Sequence, residues 1–508
     1  MGKKHVVINI VANVLSSVIG AAINLFLARY VVNSLGSEAY GFVGLSGNFV
    51  TYAAIVTGAL NAMASRFISL KIFEDDMDDA NKYFSSVVIA NLVMSVALLI
   101  PAGAVTSFID KLVNISPTLV LDVKWLFGLM FLNFLLSVSI NVFSVAIFVK
   151  NKLYLNSLRQ METQILRFLI IFVCFVLLPP RVWYWGAAAI VCTLYVAVFN
   201  ILYWKKFIPD LRVQKSAFNI KAVQELISSG VWNSFVQLTT VLMEGLDLLI
   251  ANLFIGGAAM GVLAIAKVMP VYFAQLNSMI SPAFEPGLFK LFAEKKSVEF
   301  VDYVKRCNRI LGFIMAIAIA DFFVFGKEIF VLWVPRENAE LLWVLSSLAA
   351  SAILIGGFTR VLYDVYIVTN KLRLSAIVAF FLSVVNLGVV FILLKTTNMG
   401  LYAIAGTSSV LSLLRLLLFN PIYAAKCLNI SWSTFYLDIM RGLISCVILV
   451  ATGIMVKIKL SADTWLSLAA GMLVLTAIGF VVNAFVILSK DERNMIAMMV
   501  KSRVKRVG

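Results

Sequence analysis

Residues 7–32, VINIVANVLSSVIGAAINLFLARYVV, and residues 229–247, SGVWNSFVQLTTVLMEGLD, carry matching stripes of polar and small side chains, 220 residues apart. The first stripe consists of Asn9, Asn13, Ser17, Gly20 and Asn24. The second consists of Ser229, Asn233, Gln237, Thr240 and Glu244, followed by Asp247. Spacings of three and four residues place each stripe on one face of a helix. In an apolar chain this pattern predicts a wet cavity, and its duplication predicts a cavity between two related halves.

The composition predicts an all-α integral membrane protein. Of its 508 residues 62% are hydrophobic and 13% are charged, whereas globular chains carry about 25% charged residues. A membrane-spanning helix needs roughly 20 apolar residues. Fourteen segments of this kind occupy most of the chain: 7–32, 41–65, 83–106, 124–148, 156–179, 183–204, 226–252, 259–286, 308–331, 341–368, 374–394, 400–424, 436–456 and 464–489. The sequence therefore leaves no sizeable soluble domain.

Further matches hold the two halves in register. Gly36 and Gly41 correspond to Gly256 and Gly261 at an offset of 220. Two longer matches are Asn151-Lys152-Leu153 with Asn370-Lys371-Leu372, and Phe199-Asn200 with Phe419-Asn420. Chance similarity between apolar helices is the alternative explanation, but four separated places agree on the offset.

Each half then holds six spans, which predicts a parallel repeat about an axis along the membrane normal. The expected organisation is an N-terminal lobe at 1–210, a C-terminal lobe at 211–430, an appended helix pair at 431–489 and a basic cytoplasmic tail at 490–508.

Basic residues predict the orientation of the chain. Of the 42 Lys and Arg residues, 28 fall on the side of the N-terminus and eight on the other side. Since cytoplasmic loops are enriched in Lys and Arg, both termini are expected in the cytoplasm. The net charge of +16 follows largely from this asymmetry, with some attraction to anionic lipid. The basic residues are spread over many short loops, so nucleic acid is not an expected partner.

The sequence contains few residues for histidine or cysteine chemistry. His5 is the single histidine, and the five cysteines show no paired spacing. A metal site, a disulfide framework and a histidine general base are therefore not expected. We expect neither enzyme activity nor a cofactor.

The charged residues inside the spans require an explanation, because inserting an Arg at the centre of a membrane helix costs about 2.5–3.5 kcal/mol of free energy on insertion scales. The cations are Arg29, Arg167, Lys267, Arg360 and Arg415, and Arg66 closes the second span. Three interpretations are open: pairing with acids (Arg29 with Glu244 and Asp247, or Arg360 with Asp364), snorkelling of Arg29 and Arg66, and a cavity whose arginines bind an anion.

Polar amides accompany these cations on several spans. The candidates for the cavity are Asn13, Asn24, Asn61, Asn141, Asn233 and Gln237. The third, sixth, ninth, thirteenth and fourteenth spans are plainer, which predicts outer positions. Pro270, Pro282 and Pro286 predict kinks or a hinge in the eighth span.

Several of these segments carry a family resemblance. They are Asn13, Leu27-Ala28-Arg29, Gly36-Ser37-Glu38-Ala39-Tyr40-Gly41, Arg66, Ser229-Gly230-Val231-Trp232-Asn233, Asp247-Leu248-Leu249-Ile250 and Pro282 through Pro286. Together they resemble the polysaccharide transporter branch of the MATE-like (MOP) superfamily, the O-antigen and repeat-unit flippases of the Wzx type.

The resemblance implies a V-shaped bundle like that of MATE transporters and MurJ. It also implies alternating access that moves undecaprenyl-diphosphate-linked oligosaccharides across the bacterial cytoplasmic membrane. Coupling to a Na⁺ or H⁺ gradient is implied, with Glu244, Asp247 and Asp364 as the titratable candidates. Glycosyltransferases and a glycan polymerase are the implied partners, besides membrane lipids.

Other functions stay open at this point. A cation or drug antiporter of the same architecture would need Glu244 and Asp247 to dominate the cavity. A membrane-bound polymerase or transferase would need a large catalytic loop or a histidine centre, and a scaffold for a synthesis complex would need neither.

Overall fold

The computed structural model describes residues 3–460 and 462–494, with side chains from residue 15 onward. The described residues are almost entirely helical and form no β-strand. Fourteen helices in this part of the chain are long and apolar enough to cross a membrane, which confirms the predicted spans. They are α1 (Lys3–Leu35), α2 (Ser37–Phe73), α3 (Met77–Leu112), α4 (Val120–Val149), α5 (Tyr154–Leu177), α6 (Tyr184–Phe207), α7 (Ile220–Phe254), α8 (Gly257–Ala293), α9 (Ser297–Trp333), α10 (Ala339–Val368), α11 (Leu372–Thr396), α12 (Leu401–Leu428), α13 (Trp432–Lys459) and α14 (Trp465–Val486).

Large apolar side chains cover the outside of these helices. Ile100 is 79% exposed, Leu177 is 74% exposed and Phe381 is 65% exposed. A soluble monomer rarely exposes contiguous apolar surface of this extent. The exposed side chains therefore fit contact with lipid in a multi-pass membrane protein.

The backbone repeats its turns at the offset that the sequence shows. Gly36 and Gly256 both have positive φ, 87° and 133°, at the turns into α2 and α8. Asn151 and Asn370 are left-handed too, with φ of 52° and 55°. Glycine tolerates these angles without strain, and asparagine tolerates the left-handed region better than most residues do.

A third left-handed pair was invisible in the sequence. Asp75 after α2 has φ of 58° and Lys295 after α8 has φ of 56°. In both turns the next residue donates its amide to a carbonyl five positions earlier: Asp76 to Lys71 at 3.0 Å and Lys296 to Leu291 at 3.2 Å. This bond defines the same C-terminal cap in the two halves.

Local breaks interrupt the helical pattern of α4, α7, α8 and α12. A 3₁₀ turn occupies Val142–Ser144 in α4. A π-helical turn occupies Val241–Gly245 in α7, and another occupies Arg415–Phe419 in α12. The regular helix of α8 is interrupted by a 3₁₀ turn at Ser281–Ala283. Pro282 lies within that turn, so the predicted interruption of the eighth span is confirmed at this point.

Contacts divide the chain into two compact units, residues 1–265 (unit 1) and 266–508 (unit 2). In unit 1 a core on α2, α3 and α4 includes the start of α7, where Leu226 is fully buried. In unit 2 a core joins α9, α10 and α12, with Phe300 and Tyr366 at its centre. The lobes expected at 1–210 and 211–430 stay a prediction.

An ion network ties the chain after α14 to unit 2. Arg309 of α9 binds Glu492 with Nη2 at 2.8 Å and Asp438 of α13 with Nη1 at 3.2 Å. Burial alone would raise the pKa of Glu492, but hydrogen bonds from Arg309 and from the Ser489 amide lower it below its ordinary value. The first residues of the predicted tail are therefore fixed to α9, and residues 495–508 lie outside the described residues.

Candidate functional site

Unit 1 contains a cavity of about 510 Å³ surrounded by five spans. Its walls come from α2, α4, α5, α6 and α7. The lining residues are Ala54, Thr57, Gly58, Asn61, Ser137, Val138, Ile140, Asn141, Thr163, Arg167, Cys192, Thr193, Val196, Ala197, Asn200 and Gln237. Four of the residues predicted for the cavity, Asn61, Asn141, Arg167 and Gln237, thus meet around one space.

The charge of this lining is one-sided. Among the described residues that form the wall, Arg167 is the single charged side chain, and neither Asp nor Glu is present. The other polar groups are neutral amides, hydroxyls and a thiol, each able to donate a hydrogen bond. The cavity therefore offers one fixed positive charge among neutral donors and acceptors.

The Arg167 guanidinium is only partly satisfied by the protein. Its Nε is buried without a hydrogen-bond partner, and no ion pair involves it within the described part of the chain. It lies within hydrogen-bond reach of the Cys192 sulfur, whose own proton points to the Thr163 carbonyl at 3.4 Å. A carboxylate would normally neutralise such a group, so Arg167 is poised to bind an anion from outside the protein.

Neighbouring amides are held in place by the walls. Asn61 and Asn91 exchange hydrogen bonds of 3.0 and 2.9 Å across α2 and α3. Thr193 donates to Asn133 at 2.6 Å between α6 and α4. These bonds fix rotamers next to the cavity, so part of its polar lining is preorganised.

Two glycines bring α7 against α2 and so place Gln237 in the wall. Gly58 faces Gln237, and a Cβ at position 58 would lie 2.8 Å from its Oε1. Gly230 faces the Ala59 carbonyl with no room for a side chain. Ser234 donates to the Ile55 carbonyl at 2.9 Å between them. Close backbone approach of this kind requires glycine.

The sixth span was expected to be peripheral, and this expectation is wrong. Five of the lining residues, from Cys192 to Asn200, come from α6. Four of them are small or apolar and make no polar stripe, so hydropathy gave no sign of the cavity. Asn200 is the signal that was available, since a buried amide in an apolar helix needs a polar neighbour.

Other predicted residues of unit 1 lie outside this lining. Asn24 and Arg29 are half-buried on α1, whereas Arg66 and Asn233 are exposed. No ion pair joins Arg29 to Glu244 or Asp247 among the described residues, which leaves the first of the open pairings unsupported. The side chain of Asn13 lies outside the described residues.

Of the two acids predicted for ion coupling in unit 1, Glu244 lies within the π-helical turn of α7 and Asp247 follows it by two residues. Glu244 is exposed and Asp247 is 3% exposed. The turn directs the Gly245 carbonyl to α2, where Tyr52 donates to it at 2.5 Å and Asn48 at 2.9 Å. Turns of this type are frequent at functional sites, and they break the helix next to both carboxylates.

Unit 2 holds the remaining predicted residues, Lys267, Arg360, Arg415 and Asp364. Arg360 Nη1 lies 4.0 Å from Asp364 Oδ1, so the second open pairing is found. Asp364 is 2% exposed and also accepts a hydrogen bond from Ser281 at 3.3 Å. Arg360 also lies 5.5 Å from the centre of the Tyr363 ring. Lys267 and Arg415 are half-buried.

Side chains and turns form a clasp at the end of unit 1 that contains the α1–α2 turn. Asn114 and Asn252 share three hydrogen bonds of 2.7 to 2.9 Å, and Asn252 is fully buried. Glu38 accepts from the Ser116 amide at 2.9 Å and from its hydroxyl. The α3–α4 loop thereby binds both the start of α2 and the end of α7.

The fold is similar to those of solved multi-span membrane proteins. A multidrug resistance MATE family transporter of the MOP superfamily, in an inward-facing conformation, matches 83% of this chain and 99% of its own with a TM-score of 0.69 at 15% identity. The lipid II flippase MurJ, in an inward closed conformation, matches 93% of this chain and 98% of its own with a TM-score of 0.63 at 15% identity.

Sequence comparison gives the family. The chain belongs to the polysaccharide biosynthesis protein family, whose model matches residues 5–292. It is also 24% identical over 489 residues to the uncharacterized membrane protein EpsK of Bacillus subtilis (strain 168), covering 96% of this chain and 97% of that protein. By sequence the chain is thus a member of this family, and by structure it shares the fold of the MATE transporter and of MurJ.

Proposed function

We propose that the protein moves undecaprenyl-diphosphate-linked oligosaccharide repeat units across the bacterial cytoplasmic membrane by alternating access. The observation that carries this proposal is the cavity of unit 1, where Arg167 has no carboxylate partner. Both termini are proposed to lie in the cytoplasm, and the protein itself is proposed to catalyse no covalent step.

The diphosphate is the part of such a substrate that needs a cation. A guanidinium binds phosphate oxygens through parallel charge-assisted hydrogen bonds, which are about twice as strong as neutral ones. The buried and unpartnered Nε of Arg167 would gain an acceptor on binding. Arg360 and Arg415 in unit 2 are proposed to serve the same anion at another stage of transport.

The neutral lining suits the sugars. Asn61, Asn141, Asn200 and Gln237 offer both donors and acceptors to hydroxyl groups. A volume of about 510 Å³ lies in the ordinary range for small-ligand pockets, roughly 300–1,000 Å³. It holds a few sugar rings rather than a long polymer, which favours a repeat unit as cargo.

The charge of the lining argues against a cation antiporter. A pocket for cationic drugs would be expected to present a carboxylate, and none lies in the described wall. Glu244 and Asp247 lie instead in the π-helical turn of α7 and two residues after it. We propose that these two acids and Asp364 couple transport to a Na⁺ or H⁺ gradient.

The test is flipping of a fluorescent lipid-linked oligosaccharide in proteoliposomes that contain the purified protein. Arg167→Gln should lower the flipping rate about tenfold or more, since a hydrogen bond to a charged group contributes roughly 1.5–3 kcal/mol. Arg373→Gln is the matched control, because Arg373 is an exposed residue at the start of α11. Wild-type protein without flipping activity would contradict the proposed function.

The variant pair Arg360→Gln and Arg415→Gln tests unit 2 in the same assay. Loss of flipping with normal insertion of the protein into the membrane is expected. Unchanged flipping would remove both residues from the anion path. Replacement of the glycan carrier by a cationic dye tests the antiporter, and dye transport without glycan flipping would favour that alternative.

A further inference from the structure

A second cavity, about 360 Å³, lies in unit 2 between α8, α9 and α14. It is lined by Phe273, Phe313, Ile314, Ile317, Ala318, Asp321, Met472, Thr476 and Phe480. Its walls are apolar except for the Asp321 carboxyl and the Thr476 hydroxyl. None of these residues lines the cavity of unit 1.

The Asp321 carboxyl is buried with one oxygen unsatisfied. The side chain is 5% exposed, and its Oδ2 accepts a hydrogen bond from Thr476 at 2.8 Å. Its Oδ1 is buried without a partner, and no described Lys or Arg lies within ion-pair distance. Lys457 of α13 reaches the next turn of α9 but binds Glu328 at 2.7 Å and the Val324 carbonyl at 2.9 Å.

Close packing of α14 on α9 builds this groove. A Cβ at Gly479 would lie 2.9 Å from Ile317, and a Cβ at Gly471 would lie 3.0 Å from Phe325. Met472, Thr476 and Phe480 follow one another at intervals of four residues and so share one helix face. The two glycines therefore bring this face of the appended helix up to Asp321.

An unpaired carboxylate in an apolar environment is costly and calls for a counter-charge. Aromatic faces attract cations as well, and three phenylalanine rings line this groove. We propose that the groove binds a membrane-soluble organic monocation, an ammonium or phosphonium with apolar substituents. Its charge lies at Asp321 Oδ1 and its apolar body lies among Phe273, Phe313 and Phe480.

The site takes a ligand of opposite charge to the anion expected in unit 1. Cation binding in this groove therefore does not depend on the proposed function. A cation bound here would contact α8, α9 and α14 at once, so occupancy is expected to stabilise the packing of the appended helix.

The experiment measures equilibrium binding of radiolabelled methyltriphenylphosphonium to the purified full-length protein at neutral pH. Saturable binding to the wild type is expected. Asp321→Asn keeps the shape and the acceptor for Thr476 but removes the charge, and it should raise Kd about tenfold or more, about 1.4 kcal/mol. Asp463→Asn is the matched control: it makes the same change in net charge at an exposed loop residue and should leave Kd unchanged.

Two further measurements separate a cation site from a groove for lipid chains. Triphenylethane, a neutral molecule of the same shape, should displace the labelled probe only weakly. Ala318→Phe should fill the groove and abolish binding while leaving the carboxyl intact, so it is decisive even if Asp321→Asn fails to fold. Equal affinity of the wild type and Asp321→Asn, equal competition by triphenylethane, or binding that survives Ala318→Phe would each overturn the proposal.

Discussion

The clasp between Asn114 and Asn252 yields a quantitative prediction about opening of unit 1. If residues 1–210 and 211–430 move as separate lobes, these three hydrogen bonds must break whenever α2 and α7 part at this end. Interhelical hydrogen bonds in membrane proteins contribute about 0.6 kcal/mol each on average. Asn252→Ala removes the two bonds that the Asn252 side chain makes, whereas the third ends on the Asn252 backbone carbonyl and remains. The substitution should favour the open form by about 1.2 kcal/mol, or roughly eightfold in population.

The assay measures the rate at which a membrane-impermeant maleimide labels a cysteine introduced between α2 and α8. Ala264 is 8% exposed and lies 3.8 Å from the position of a Cβ at Gly44, so Ala264→Cys reports separation of α2 from α8. Labelling from the outside should accelerate roughly eightfold in the Asn252→Ala background. An acceleration below threefold would refute the argument that this clasp holds the end closed.

Three further predictions concern stability. Gly230→Ala should destabilise the protein by about 1–3 kcal/mol, because the new methyl group meets the Ala59 carbonyl; thermal unfolding of the purified protein measures the loss. Asn91→Ala removes the donor to Asn61 Oδ1, while Asn61 Nδ2 keeps its bond to the Thr57 carbonyl, and should cost about 1 kcal/mol by the same measurement. Glu492→Gln should cost about 2 kcal/mol at pH 7. Since the pKa of Glu492 is lowered in the folded state, its contribution is present above the unfolded value of about 4.3 and is lost as the pH falls from there through the lower folded value. Tm of Glu492→Gln should therefore depend less on pH between about 5 and 3 than Tm of the wild type.

The sequence predicts the spans and their repeat because both depend on local chemistry. Twenty apolar residues suffice to mark a helix in a bilayer. Gly36, Gly256, Asn151 and Asn370 mark turns because few other residues accept positive φ. The equivalent turn at Asp75 and Lys295 escapes prediction, because tertiary context forces two dissimilar residues into the same conformation.

The site is only partly predictable, because lining a cavity depends on packing. Asn61, Asn141 and Arg167 are polar residues in apolar helices, so they can be recognised as candidates from the sequence. Cys192 and Ala197 cannot be recognised in this way, because small side chains do not stand out from the apolar residues of a helix. Arg66 is exposed although it fits the family pattern, which shows that a motif places a residue on a helix without setting its surroundings.

The proposed function depends most on recognition of the substrate diphosphate by Arg167. The direct measurement compares binding of two short-chain prenyl-linked disaccharides to the purified protein, one joined through a diphosphate and the other through a neutral linker. Arg167→Gln is expected to weaken binding of the diphosphate compound about tenfold or more and to leave the affinity for the neutral compound unchanged. Equal weakening of both compounds, or of neither, would contradict it.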